Sequence, residues 1–86
     1  MAEEVPESIL EALDRIIQDD TVPRNIRKAA SEIKESLLHG KDSLAVRAAT
    51  AISILEELSN DPNLPMHVRT LIWNVSSQLE RIAVEE

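Results

Sequence analysis

Cysteine, phenylalanine and tyrosine are absent from this 86-residue chain, glycine occurs once at Gly40, and Trp73 is the single tryptophan. Without cysteine there is neither a disulfide framework nor a thiolate metal site. One glycine cannot make the glycine-rich loop that cradles phosphate. A sheet draws on β-branched and aromatic residues in alternation; this chain is rich instead in Ala, Leu, Glu, Lys and Arg, which favour helix. No apolar run approaches the roughly 20 residues that cross a bilayer. No signal-peptide pattern opens the chain, so a cytoplasmic protein is expected. The net charge of −7 at pH 7 disfavours nucleic acid as the default partner, because phosphate binding rests on clustered Lys and Arg. The length gives one domain, residues 1–86, whose stability rests on one small core.

What is present is helical periodicity. Pro6 suits a first helical turn, where its missing N–H costs nothing. Ile9, Ala12, Leu13, Ile16 and Ile17 then recur at helical spacing, predicting a helix over about 6–18. Pro23 opens a second helix, about 23–38, with Ile26, Ala29, Ala30, Ile33 and Leu37 on one face. Gly40, just after it, fits a left-handed C-cap. Asp42 is a good N-cap for a third helix over about 43–59. That helix has the widest apolar stripe, since Val46, Ala51 and Ile54 add to Leu44, Ala48, Ile52 and Leu55, and it is expected to be the most buried. Asn60 to Asn63 carry breaker chemistry. Pro65 starts a fourth helix with Val68, Leu71, Ile72, Val75, Leu79 and Ile82 on one face.

The chain repeats itself. Shifted by 42 positions, residues 10–39 overlay 52–81 without a gap, with identities at Leu13/Leu55, Asp19/Asp61, Pro23/Pro65, Arg27/Arg69 and Leu37/Leu79. Every core position of the second helix has an apolar counterpart in the fourth. Hairpin one, about 6–39, and hairpin two, about 43–84, are therefore expected to be duplicates. A period near 40 residues with two helices per unit is that of HEAT and armadillo repeats. The stretch NDPNLPMHVRTL resembles the turn and second helix of a HEAT repeat. That resemblance implies that Asp19 and Asp61 are turn residues, serving helix-start N–H groups or pairing with Arg27 and Arg69. Two units are too few for a solenoid, so the hairpins are expected to close face to face as an all-α, antiparallel up-and-down four-helix bundle. Through VPESI, DDTVPRNIRKAA and NDPNLPMHVRTLIW the chain also resembles the uncharacterised protein family 0147. The resemblance implies an archaeal cytoplasmic protein with an up-and-down four-helix fold, and it implies no activity.

A search for chemistry returns little. No serine sits on a glycine-rich elbow. His39 lies at a helix end, where a charged imidazole suits the dipole, and His67 lies in the first turn of the fourth helix, where it is expected to be solvated. No Glu-x-x-His ligand pattern is present. An enzyme, a cofactor, a metal and a small-molecule substrate are therefore not expected. The exception is Trp73, which falls far from the core stripe of its helix, beside Met66, Ser77 and Val84. Its counterpart in hairpin one is Ser31, and that of Met66 is Arg24. Either the N-terminal tail or Val5 covers Trp73, or it belongs to an exposed apolar patch used for self-association or a partner, or it is a lone surface residue. The expected function is a small acidic interaction or scaffold protein that self-associates or binds a protein partner through the fourth helix. The alternative is a nucleic-acid- or ribosome-associated accessory protein using Arg24, Arg27, Lys28 and Arg69.

Overall fold

Four helices account for the fold: α1 (Glu7–Gln18), α2 (Arg24–His39), α3 (Leu44–Ser59) and α4 (Met66–Val84). The computed structural model describes residues 5–84, apart from the side chain of Val84, and contains no strand among them. Each helix begins within a residue or so of its expected start. Prolines stand just outside three of the starts, and their carbonyls accept the first helical N–H groups: Pro6 from Ile9 (3.0 Å), Pro23 from Ile26 and Arg27 (both 3.0 Å), and Pro65 from Val68 and Arg69 (both 3.1 Å). A proline there loses no bond, because its own N–H would have had no partner in the helix.

At the junction of the two hairpins the structure departs from two expectations. Ser43, not Asp42, caps α3, its Oγ accepting the N–H of Val46 at 3.3 Å. Ser43 is the residue immediately before the first helical position, from which a short side chain reaches the third N–H. Gly40 is not left-handed; its φ is −65° and ψ 154°. Space requires the glycine. A Cβ there would lie 2.5 Å from the Ser36 carbonyl oxygen and would collide with Cδ of Arg47. Arg47 explains the crowding. Its Nε donates to the Asp42 carbonyl at 2.8 Å and its Nη1 to the Leu37 carbonyl. A side chain from α3 thus satisfies a carbonyl at the end of α2 that helix geometry leaves free.

The helices pack as a ring. α1 lies against α2 and α4, and α3 against α2 and α4, while the diagonal pairs make no close backbone approach among the described residues. Connections of a few residues force neighbours to run antiparallel, so the bundle is up-and-down, with overall extents of 40 × 20 × 19 Å. Asp14 and Lys34 tie α1 to α2 at 2.7 Å, and Ser8 ties α1 to Gln78 of α4, also at 2.7 Å. The core follows the internal repeat. Val22 and Leu64, Ile26 and Val68, Ala30 and Ile72, Ile33 and Val75, and Leu37 and Leu79 are buried in both copies.

The expectation that α3 is the most buried helix is overturned. Only Leu44, Ala48, Ala51 and Leu55 are buried there, while Val46 is 48% exposed and Ile54 36%. In a ring each helix meets two neighbours, so one stripe is covered and a wider apolar surface is left in water.

Candidate functional site: an apolar groove beside Trp73

The two inter-helix turns 19–23 and 60–65 lie at the same end of the bundle, as the up-and-down order requires. Each is closed by its aspartate in the same way. Asp19 Oδ1 accepts the N–H of Thr21 (2.9 Å) and its hydroxyl (2.6 Å), and Asp61 Oδ1 accepts the N–H of Asn63 (2.9 Å). An Asx side chain bonded two residues on is a turn-making device. Neither carboxylate meets an arginine. Arg27 Nε donates to the Val22 carbonyl and Arg69 Nη2 to the Asp61 carbonyl, both at 3.1 Å. The arginines therefore fasten the turns through backbone oxygens, and the helix-start N–H groups bond to the proline carbonyls.

His67 joins the two turns and is not simply solvated. Its Nε2 lies 2.8 Å from Thr21 Oγ1 and 3.6 Å from Asp19 Oδ2. The one hydroxyl proton of Thr21 goes to the Asp19 carboxylate, which can only accept, so His67 Nε2 donates to the Thr21 oxygen. The histidine is thus oriented as a donor and takes no proton from the hydroxyl; the trio is a clasp between turns. The hydrogen bonds from Thr21 hold the Asp19 carboxyl below its usual value of 3.8, with His67 adding to the effect. Among the described residues no three His, Asp or Glu side chains gather as a metal site. His39 closes α2 in an exposed position.

Trp73 and Met66 are 75% and 77% exposed. They stand on the lip of a groove of about 510 Å³ between α3 and α4. Ile52, Leu55, Ile72 and Ser76 also line it, and its charged lining residues are Glu56, Arg69 and Glu80. Val5 does not cover it. That residue packs against the core and lines a separate cleft with Pro6, Leu37, Leu38 and Gly40, near the start of α1 and the junction of the hairpins, and residues 1–4 lie outside the described residues. Of the other residues expected beside Trp73, Ser77 is exposed but outside the groove, and the side chain of Val84 is not among the described ones. Helix-wheel placement alone missed the lining from α3, since it needs the pairing of α3 with α4. It also missed Ser76, Arg69 and Glu80 as neighbours of Trp73, although their spacing of three, four and seven residues carried the signal.

The expected basic residues belong to two helices that start at the same end of the bundle. Arg24, Arg27 and Lys28 begin α2, whereas Arg69 lies on α4, the diagonal helix. Arg27 and Arg69 each spend a donor on a turn carbonyl, and Asp19, Asp20 and Asp61 stand in the same turns.

A family model described as an uncharacterised protein family (UPF0147) matches residues 1–82. A UPF0147 protein of Archaeoglobus fulgidus is 64% identical over 85 residues, covering 99% of this chain and 97% of its own length. One from Methanocaldococcus jannaschii is 54% identical, covering 94% of this chain and 91% of its own. The crystal structure of a protein of that family from Thermoplasma acidophilum superposes with a TM-score of 0.84 at 42% identity, covering 88% of this chain and 89% of that one.

Proposed function

The chain belongs to the uncharacterised protein family UPF0147, and we propose that it is a small acidic interaction or scaffold protein of the cytoplasm, working by contact through α4 and not by catalysis. The observation that carries this reading is Trp73, three-quarters exposed on the lip of an apolar groove. Exposing an indole and a neighbouring methionine to water has a free-energy cost that a solitary protein has no reason to keep. Trp and Met are also the residue types enriched at the centres of interfaces.

The test is purification of the tagged chain from its source cells, at low and at high salt, beside the Trp73→Ser variant. Protein bound to the wild type should be retained at high salt and lost from the variant. Phosphate contacts weaken steeply with salt. RNA held at low salt by both chains, with no protein lost on mutation, would overturn the reading.

A further inference from the structure

We propose that the occupant of the α3/α4 groove is a second copy of this chain, with the two α4 helices antiparallel across a two-fold axis and each Trp73 indole seated in the partner's groove. This rests on the reading of α4 as a contact face and adds the occupant, the direction and the register.

α4 carries two stripes. The core takes Val68, Ile72, Val75 and Leu79, with half-buried Ala83 packed at its edge. A second seam runs through Met66, Arg69, Trp73, Ser76, Glu80 and Ala83, spaced alternately three and four residues apart, which is the spacing of helices that pair along their length. Of these six, all but Ala83 line the groove. The order along the seam is complementary to its own reverse. A two-fold axis crossing α4 between Asn74 and Val75 sets Trp73 against Ser76 of the partner subunit, Arg69 against Glu80 of the partner subunit, and Met66 against Ala83 of the partner subunit. Each large side chain meets a small one, and each cation meets an anion. A parallel pairing would instead oppose arginine to arginine and glutamate to glutamate.

Arg69 and Glu80 are separated by about 16 Å along the helix, on opposite sides of the axis, so these two charges offset each other along α4, and Glu56 of α3 adds one negative charge at the groove. Arg69 uses Nη2 on the Asp61 carbonyl, and the remaining guanidinium donors are available to a carboxylate. The groove provides the seat. At about 510 Å³ it is within the range of about 300–1,000 Å³ that takes drug-sized groups. Ser76, 9% exposed, leaves room where the facing indole arrives. A two-fold interface of this kind uses one patch twice, so a single seam suffices.

Sedimentation equilibrium of the full chain, followed by the emission of its single tryptophan, tests the pairing. The wild type should dimerise with a blue shift of Trp73. Arg69→Glu and Glu80→Arg should each weaken the dimer at least about tenfold, as like charges face each other twice. The double variant R69E/E80R should return to within about threefold of wild type, because the exchanged charges again oppose. A dimer weakened by Trp73→Ser but indifferent to the charge reversals would overturn the antiparallel register while keeping the face. A monomer at every concentration would overturn the second copy as occupant. If that monomer's emission then moved to the blue with a basic amphipathic peptide, the face would stand with a foreign helix on it. If nothing moved it, the reading of α4 as a contact face would fall as well.

Discussion

Asp19 shows how a residue acquires its role from what reaches it. Its carboxylate closes its own turn through Thr21 and receives His67 from the start of α4. The Thr21 hydrogen bonds, and then His67, hold its folded pKa below the ordinary 3.8. A carboxyl whose pKa is depressed by folding adds stability above its unfolded value and loses it as pH falls through the folded one. The urea midpoint of the wild type should therefore exceed that of Asp19→Asn near neutrality, and the gap should close as pH falls below about 3.8. A gap that persists at acid pH would show that the charge is not what the turn uses. Asp19 and Asp61 could be recognised as turn residues from their place before Pro23 and Pro65. The clasp by His67 could not, since it joins residues 46 positions apart, and nothing local to either turn specifies the other.

At the scale of elements, the connection between α2 and α3 is the most tightly specified. Gly40, Arg47 and the carbonyls of Ser36 and Leu37 occupy one small volume. Gly40→Ala keeps a backbone conformation any residue adopts, yet its methyl group meets a backbone oxygen and displaces the arginine that serves the end of α2. Overpacking of this kind costs about 1–3 kcal/mol. Chemical denaturation should show that loss, and Arg47→Ala should reduce but not abolish it in the double variant, because the side-chain obstacle is gone while the Ser36 carbonyl oxygen remains. The starts of α1, α2 and α4 were legible from proline position and apolar period, and that of α3 from apolar period beside a pair of capping residues. The choice of Ser43 over Asp42 as cap was not, because both are capping residues and only the helix's first turn decides between them. Burial in α3 was misjudged for a related reason. Periodicity reports how wide an apolar stripe is, and the number of neighbours determines how much of it is covered.

For the whole molecule, a two-fold pairing through α4 makes folding stability depend on concentration, since a partner that binds only the folded state stabilises it by mass action. Thermal melts of the wild type should shift upward over a hundredfold rise in protein concentration, whereas Trp73→Ser should melt at one temperature throughout. A wild-type melt independent of concentration would remove the partner copy from the molecule's energetics. By itself the sequence determined the helical class, the two hairpins and the buried faces of α2 and α4, because proline and apolar spacing act over a few residues and the same pattern occurs twice. It also set Trp73 apart from the core. Only the tertiary structure decided that α3 and α4 leave a groove beneath that indole, that Arg69 and Glu80 share it, and that α2, with Arg24, Arg27 and Lys28, stands diagonal to the helix of Arg69. Those relations depend on which helices become neighbours when the ring closes, and long-range packing, not local propensity, makes that choice.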